Sequence, residues 1–229
     1  GELVQRVRKH TDWVTAVEFS PDGRFLASGD RAGGLFLWEA ETGRELFALN
    51  GHKGAISAVS WRADSEMLVS ASEDGTFKLW KAADGSTLRS VTAHPGGVLA
   101  ARFSMDGRVV SSGRDNKLQV WNTSGKSLAV LAFNGELPNR VAFTHNGARV
   151  VGSDWAGRVL VWDAASGRQV GELESNPLPL SERVVRLGQV VTERKREAEK
   201  AAAELVVAEA AAAKMAASAS RTPEVLNLP

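Results

Sequence analysis

The sequence predicts an all-β array of four-stranded antiparallel sheets followed by a C-terminal α-helix. First, a tryptophan closes an apolar segment about every 41 residues, which indicates a structural repeat. Second, every Trp and Phe of the 229-residue chain lies at or before Trp162, in a glycine-rich region typical of sheets and tight turns. Third, alanine dominates residues 198–219, and a segment of strong helix formers without aromatic side chains favours a helix.

Four copies of one unit, at about residues 9–50, 51–92, 93–133 and 134–174, account for the sheets. Each copy begins with an alternating strand and a turn, and continues with a strand of small residues. A third strand ends in the repeated tryptophan, and a glycine turn then leads to a fourth strand. The repeated tryptophans are Trp38, Trp80, Trp121 and Trp162. Short alternating segments separated by glycine turns predict four antiparallel strands per copy.

These copies resemble the WD-repeat family of β-propellers, whose repeats are about 40–45 residues long. The resemblance covers residues 3–173 and implies a β-propeller with a buried polar tetrad in its blades, a hydrogen-bonded chain of His, Ser or Thr, Asp and Trp. Two repeats carry all four members: His52, Ser70, Asp74 and Trp80, and then His94, Ser111, Asp115 and Trp121. Because a buried indole N–H needs an acceptor, such a chain also has a physical reason.

The first and fourth repeats match the tetrad only in part. The first repeat has His10, Ser28 and Trp38, with Ala32 at the Asp position. The fourth repeat has Trp162, with Gly152 and Ala156 at the Ser and Asp positions. In both repeats an aspartate stands two positions earlier, at Asp30 and Asp154, and we expect these carboxylates to make a substitute hydrogen bond in the turn.

The ends of the repeat array raise the question of how the ring closes. Residues 3–8 have the pattern of an outer strand, so we expect four complete blades plus one extra outer strand from a preceding blade. The fourth repeat has its own fourth strand at 169–173 and needs no strand from elsewhere. Since open blade faces would expose apolar surface, the chain is expected to belong to a larger ring, or to form an open arc that pairs with another copy.

The tail is expected to hold a Pro-rich linker at 175–181, an amphipathic helix at 182–219 and a disordered end at 220–229. Ser181 is the candidate N-cap. A heptad seam, interrupted by Arg194, runs along the helix: Val184, Leu187, Val191, Arg194, Ala198, Ala201, Leu205, Ala208, Ala212 and Met215. Such a seam favours a coiled coil with a partner helix, and a solvated helix without a partner remains the alternative.

Composition excludes several classes of function. The net charge of +1 is too small for a non-specific nucleic-acid binder, and no apolar stretch is long enough to span a membrane. Without cysteine the chain holds no disulfide or covalently attached haem, and its histidines have no metal-ligand spacing, so neither a metal nor a cofactor is expected. Ser, His and Asp superficially resemble a hydrolytic triad, but a buried structural tetrad is the favoured interpretation, and we expect no catalytic residue.

A binding surface is expected on the edge of the propeller where the loops with the tetrad histidines and the turns with the tetrad aspartates meet. We call this edge the rim. The candidate residues are Asp12, Trp13, Arg31, Lys53, Glu73, Arg114, Arg140 and Trp155. Trp and Arg are favoured anchors of protein interfaces. Ordinary solvated surface is the favoured alternative for the charged residues. For Trp155, packing over the turn of the fourth repeat is an equal alternative.

The sequence therefore predicts a non-catalytic scaffold for protein–protein interaction, whose rigid blades present preorganised loops to a protein partner. Self-association through the open blade edges or the helix is a second expectation. As an alternative, the strings at 9–23, 33–45 and 175–183 are similar to planctomycete-type bacterial proteins that join a c-type cytochrome domain to a WD-repeat propeller and a helical tail. That resemblance implies a periplasmic location; otherwise the chain is expected in the cytoplasm.

Overall fold

The structure is a computed structural model that describes residues 5–173 and 180–219, and the helical side chains from 184 to 205. The predicted fold class is confirmed, because sixteen strands form four antiparallel four-stranded sheets and one helix follows them. The chain divides into two compact units, residues 1–175 and 176–229. We call the four sheets blades 1 to 4 in chain order.

Each blade consists of four strands consecutive in the chain, and each strand pairs with the next. Blade 1 contains β1 (Val14–Phe19), β2 (Phe25–Asp30), β3 (Leu35–Glu39) and β4 (Glu45–Ala48). Blade 2 contains β5 (Ile56–Trp61), β6 (Met67–Ser72), β7 (Thr76–Lys81) and β8 (Thr87–Thr92). Blade 3 contains β9 (Val98–Phe103), β10 (Val109–Gly113), β11 (Lys117–Trp121) and β12 (Ser127–Ala132). Blade 4 contains β13 (Pro138–Phe143), β14 (Arg149–Asp154), β15 (Val159–Asp163) and β16 (Gln169–Leu173).

The turn between the first two strands shows why the local sequence makes a hairpin. The Asp22 carboxylate accepts hydrogen bonds from the Ser20 hydroxyl and the Arg24 backbone N–H. Gly23 follows with a φ of 73°, a left-handed conformation that glycine adopts without steric cost. Ser20 and Asp22 therefore close the turn, and Phe25 begins β2 in antiparallel register with β1.

The core lies between neighbouring blades, because sheets that are consecutive in the chain pack face to face. Between blades 1 and 2, Leu35 and Leu37 meet Ile56, Trp61 and other buried side chains. Equivalent layers fill the space between blades 2 and 3 and between blades 3 and 4. Since each layer needs two blades, the faces at the two ends of the array are the ones that no layer covers.

Two predicted boundaries differ from the structure. The extra outer strand over residues 3–8 does not form in its described part, because residues 5–8 are not in a strand and all sixteen strands already belong to complete sheets. An outer strand needs the free edge of an incomplete sheet, and the described residues offer none. Residues 3 and 4 lie outside the described part of the chain.

The helix α1 (Leu180–Ala219) begins two residues before the predicted start. Ser181 consequently lies within the helix rather than at its N-cap, since leucine is a stronger helix former than serine and extends the helix towards the N-terminus. The predicted linker residues 175–179 and tail 220–229 lie outside the described residues. The exposed side chains of α1 include Val184, Leu187 and Val191, so the pairing of the heptad seam stays a prediction. Within the described residues, no helix has both the length and the apolar character needed to cross a bilayer.

Candidate functional site

The tetrad of blade 2 is a continuous hydrogen-bonded chain from the core to the rim. The Trp80 indole N–H donates to Ser70 Oγ at 2.8 Å, and Ser70 Oγ lies 2.7 Å from His52 Nε2. On its other side, His52 Nδ1 lies 3.0 Å from a carboxylate oxygen of Asp74. Thr76 and the Lys53 backbone N–H also donate to Asp74. The chain therefore ties the third strand of the blade to the loop that enters it.

Burial and hydrogen bonding together set the protonation states of the blade 2 tetrad. Burial lowers the pKa of His52 below the ordinary histidine value, although the Asp74 carboxylate opposes the shift. Burial alone would raise the pKa of Asp74, but hydrogen bonds from Thr76, Lys53 and His52 outweigh it and lower that pKa to about 2. At neutral pH a neutral His52 accepts from the Ser70 hydroxyl and donates to an ionised Asp74.

Blade 3 repeats the chain with a more deeply buried histidine. His94 is 0% exposed, its Nδ1 lies 2.7 Å from Asp115, and its Nε2 lies 2.7 Å from Ser111 Oγ. The Trp121 indole donates to Ser111 Oγ at 2.8 Å. Burial is the largest influence here too, and it lowers the pKa of His94. A Cβ on Gly113 would lie 2.2 Å from the His94 ring, so only glycine fits beside it.

Blade 1 has a complete tetrad, which corrects the expectation of a partial one. His10 Nδ1 lies 2.7 Å from Asp30, its Nε2 lies 2.6 Å from Ser28 Oγ, and the Trp38 indole donates to Ser28 Oγ at 2.8 Å. Asp30 also accepts a hydrogen bond from the Gly34 backbone N–H at 2.7 Å. The expected bond in the turn is therefore present, and the same carboxylate also takes the place of the missing Asp at Ala32.

A pattern in the sequence signals this replacement, although sequence reasoning missed it. The acid stands either six or eight positions before the repeated tryptophan, and never at both. Blades 2 and 3 have Asp74 and Asp115 at the nearer position, with Ser72 and Gly113 at the farther one. Blade 1 has Ala32 at the nearer position and Asp30 at the farther one. Either position reaches the histidine, so the two sites substitute for each other.

Blade 4 lacks the hydrogen-bonded tetrad. Gly152 occupies the Ser position and offers no hydroxyl to Trp162, and the ring of Phe133 lies 5.6 Å from the Trp162 ring instead. Asp154 is buried, and one of its oxygens accepts from the Arg158 backbone N–H at 2.9 Å. Its other oxygen has no hydrogen-bond partner in the described structure. The fourth blade therefore replaces a polar chain by aromatic packing and keeps a carboxylate that is only partly satisfied.

The tetrads offer no reactive group to a substrate. Ser70 and Ser111 are 0% exposed, and each hydroxyl is bonded to an indole N–H and an imidazole. A nucleophilic serine must reach the substrate and have donors for an oxyanion beside it. Buried, fully paired hydroxyls serve the packing of the blade instead.

The rim residues come together in one depression of about 420 Å³. All four blades contribute to its lining, and five of the eight predicted rim residues belong to it: Arg31, Glu73, Arg114, Arg140 and Trp155. Four of these five stand seven positions before the repeated tryptophan of their blades, so the repeat itself places them on the same rim. Thr15 and Asn139 also line the depression. Sequence reasoning missed both residues, which lie on the first strands of blades 1 and 4.

The depression has more arginine side chains than carboxylates to pair with them. Arg114 lies 3.0 Å from Glu73, which makes an ion pair. Arg31 and Arg140 have no carboxylate within ion-pairing distance in the described residues; Arg140 donates to the backbone oxygen and to the side-chain amide oxygen of Asn139. The depression therefore presents two uncompensated positive charges.

An aromatic side chain stands beside these charges. Trp155 is 71% exposed, which favours the interface interpretation over packing on the turn of blade 4. A large exposed indole next to unpaired guanidinium groups is the composition of an interface anchor. Trp155 and the two arginines can hold a ligand that carries both an apolar group and negative charge.

The other three predicted rim residues lie outside the lining. Trp13 is 76% exposed, and the Arg31 guanidinium lies 5.9 Å from the centre of its ring. Asp12 accepts a hydrogen bond from the Trp13 backbone N–H. Lys53 contributes its backbone N–H to the tetrad of blade 2. Trp13 therefore extends the rim beside Arg31, whereas Asp12 and Lys53 shape the loops.

Comparison with known protein families finds three matches to the repeat described as WD domain, G-beta repeat, over residues 1–39, 43–81 and 85–122. Together these matches cover half of the chain. Each match ends one residue after the repeated tryptophan of blade 1, 2 or 3. Blade 4, which lacks the tetrad, lies beyond the last match. The more specific resemblance to cytochrome-linked planctomycete proteins stays a prediction.

Curated relatives share single repeats with the chain. An uncharacterized WD repeat-containing protein of Nostoc sp. is 51% identical over 39 residues, 17% of this chain and 3% of the relative. The human U3 small nucleolar RNA-interacting protein 2 is 39% identical over 46 residues, 20% of this chain and 10% of the relative. A probable cytosolic Fe-S cluster assembly factor of Schizosaccharomyces japonicus is 56% identical over 36 residues, 16% of this chain and 6% of the relative. The matches thus span a tenth or less of each relative's length.

A solved structure extends the likeness to about three quarters of the chain. The computationally designed Ika8 protein superposes with a TM-score of 0.65 at 31% sequence identity. The alignment covers 73% of this chain and 51% of the designed chain. The aligned segment therefore corresponds to about half of the designed protein.

Proposed function

The chain belongs to the WD40 repeat family, and from that premise we propose that it is a non-catalytic scaffold that binds an acidic protein segment in the rim depression. WD40 domains usually mediate protein interactions. The observation that supports the acidic ligand is the pair of unpaired arginines, Arg31 and Arg140, in a depression that also holds the exposed Trp155.

The site fits an extended segment for electrostatic and steric reasons. Its lining comes from four separate blades, so a ligand that contacts all of them must cross the rim. A carboxylate placed between Arg31 and Arg140 forms charge-assisted hydrogen bonds, which are stronger than neutral ones. Trp155 covers an apolar side chain next to that carboxylate.

Preorganisation explains how such a shallow site can bind. The turns that carry Arg31, Glu73 and Arg114 adjoin the aspartates of three tetrads, which hold the turns through the hydrogen bonds described above. Loops that are already ordered lose little conformational entropy when a ligand binds. The polar chains thus act on binding indirectly, by fixing the rim.

The proposal is tested with a fluorescent peptide of alternating Glu and Leu, and with the same peptide carrying Gln in place of Glu. Fluorescence anisotropy should show binding of the Glu peptide that weakens as salt increases, and weaker binding of the Gln peptide. The double variant Arg31→Gln/Arg140→Gln should weaken binding about tenfold, equivalent to ~1.4 kcal/mol. Arg168→Gln, an exposed arginine outside the depression, is the matched control and should leave affinity unchanged.

Trp155→Ala separates binding from folding at the same site. Because the indole is exposed, the melting temperature should stay nearly constant while the peptide affinity falls about tenfold. Equal affinity for the Glu and Gln peptides would overturn the acidic ligand. A large drop in melting temperature for Trp155→Ala would overturn its role as an anchor.

A further inference from the structure

The face of blade 1 that looks away from blade 2, here called the leading face, has no neighbouring sheet in the described structure. It is formed by Val14, Val17 and Phe19 on β1, together with Leu26 on β2. The first three are 48%, 58% and 60% exposed. Three large apolar side chains exposed along one strand are costly in water.

The equivalent positions in the other blades show what covers such a face. In blade 2 they are Ile56, Val59 and Trp61, which are 0%, 3% and 5% exposed because blade 1 lies against them. In blade 3 the corresponding Val98 and Ala101 are 0% exposed, beneath blade 2. The leading face of blade 1 therefore has the composition of a buried interface between blades.

The opposite end of the array has the complementary surface, here called the trailing face. It is formed by Val151, Val159 and Val161 of blade 4. The equivalent residues of blade 1 are Ala27, Leu35 and Leu37, all within 2% exposure under blade 2. Val151 and Val159 are only partly buried, whereas Val161 is buried, with 7% exposure. The trailing face thus repeats the surface that covers a leading face elsewhere in the array.

A hydrogen bond found at two of the three interfaces between blades supports this complementarity; the equivalent position in blade 3 is Leu99, whose side chain cannot donate. The Thr15 hydroxyl donates to the Ile56 backbone oxygen of the next blade at 2.5 Å. Ser57, the equivalent of Thr15, donates to the Val98 backbone oxygen of the following blade at 2.6 Å. In blade 4 this position holds Asn139, whose side-chain amide is also a donor. The equivalent acceptor on a leading face is the backbone oxygen of Val14.

We infer that a second copy of this chain covers these surfaces, with the trailing face of each copy on the leading face of the other. The two copies then close a ring of eight blades, which is within the usual range for propellers. The designed chain is about twice as long as the segment that aligns with it, so it has room for a second segment of the same length. Blade 4 of the same copy does not provide the cover, since Val17 and Phe19 stay exposed.

Light scattering of the 229-residue chain tests the inference. The expected mass is that of two chains. Val17→Asp on the leading face and Val159→Asp on the trailing face should each reduce the mass to one chain, because a buried unpaired carboxylate is costly. Val130→Asp is the matched control: Val130 is 54% exposed on the outer strand β12, and its variant should keep the mass of two chains. Near-UV circular dichroism verifies folding, and Phe19→Ser is a second variant of the leading face.

A mixing experiment tests the head-to-tail arrangement. Val17→Asp retains an intact trailing face, and Val159→Asp retains an intact leading face, so an equimolar mixture should regain a species of two chains joined by one interface. A single chain in the unmodified protein would overturn the inference, as would a two-chain mass that persists in Val17→Asp, which indicates assembly through the helix. A series of larger masses would also overturn it, because the ring would then be open.

Discussion

Blades 1 and 4 carry the same Asp-X-Ala-Gly string at the same place, yet their carboxylates behave differently. Asp30 of blade 1 bonds to His10 at 2.7 Å and completes a tetrad with Ser28. Asp154 of blade 4 is equally buried, but one of its oxygens has no partner in the described structure. The difference arises outside the string, because blade 4 has no histidine in the preceding loop and has Gly152 in place of the serine.

This difference teaches that a blade of this type does not require the polar chain in order to form. Blade 4 has the same four strands and a Trp162 that is 1% exposed. The Phe133 ring packs against Trp162 there, and a Cβ on Gly152 would lie 3.4 Å from that ring. The tetrad is therefore not needed for the sheet to form. It makes the stability of blades 1 to 3 depend on individual buried polar groups.

The largest expected effect comes from removing a tetrad histidine. His94→Ala should lower the free energy of unfolding by about 3 kcal/mol, because it leaves Ser111 and Asp115 without their partner and opens a cavity. Urea unfolding measures the loss. His145→Ala, at an exposed histidine in a turn of blade 4, is the control and should change stability by less than about 0.5 kcal/mol. Similar losses in both variants would refute the structural role of the tetrad.

A pair of tryptophan variants compares the two kinds of blade directly. Trp80→Phe should cost about 1–3 kcal/mol, because it removes the donor to Ser70 as well as part of the packing. Trp162→Phe removes an indole that has no serine partner, so only the packing loss remains and its cost should be smaller. Urea unfolding curves of both variants test the order, and a reversed order would contradict the comparison.

A smaller effect is expected from neutralising the two equivalent aspartates. Asp30→Asn should cost about 1–2 kcal/mol, because Asp30 holds His10 and the Gly34 backbone N–H. Asp154→Asn removes a buried charge and keeps the acceptor for Arg158, so stability should stay within about 0.5 kcal/mol of the unmodified protein or increase. Thermal unfolding distinguishes the variants, and an equal loss in both would mean that Asp154 has a partner.

A change of pH alters no side-chain packing and acts only through the different proton affinities of the folded and unfolded chain. Burial lowers the pKa of His52 and His94 in the folded state, so the unfolded chain binds more protons as the pH falls through about 6.5. Stability should therefore decrease from pH 7 to pH 5. Asp74, with a folded pKa of about 2, adds a further loss below about pH 4.

Hydrogen exchange resolves the acid effect by blade. After correction for the intrinsic exchange rate, amides of blades 2 and 3 should lose protection between pH 7 and pH 5. Amides of blade 4 should change less, since the described blade has no buried histidine. A uniform loss across the blades would show that the histidines do not cause the effect.

Much of the fold was accessible from the sequence for an identifiable reason. A buried tryptophan recurs at a constant interval, and turn glycines and alternating strands recur with it, so each copy indicates the structure of the others. The same regularity predicted that Arg31, Glu73, Arg114 and Trp155 share one rim. The substitution of Asp30 for the missing acid at Ala32 was not recognised, because the two positions become equivalent only around the histidine ring.

The sequence by itself determined the local structure: four strands per repeat, the positions of the turns, the helix after the last blade, and the side chains that can donate or accept within a tetrad. Only the tertiary structure decided which polar groups meet, which rim residues share a depression and which apolar faces lack a cover. The physical reason is the distance along the chain over which each effect acts. Turn chemistry and alternation act between neighbouring residues, whereas burial and hydrogen-bond satisfaction depend on strands and loops that are distant in the chain.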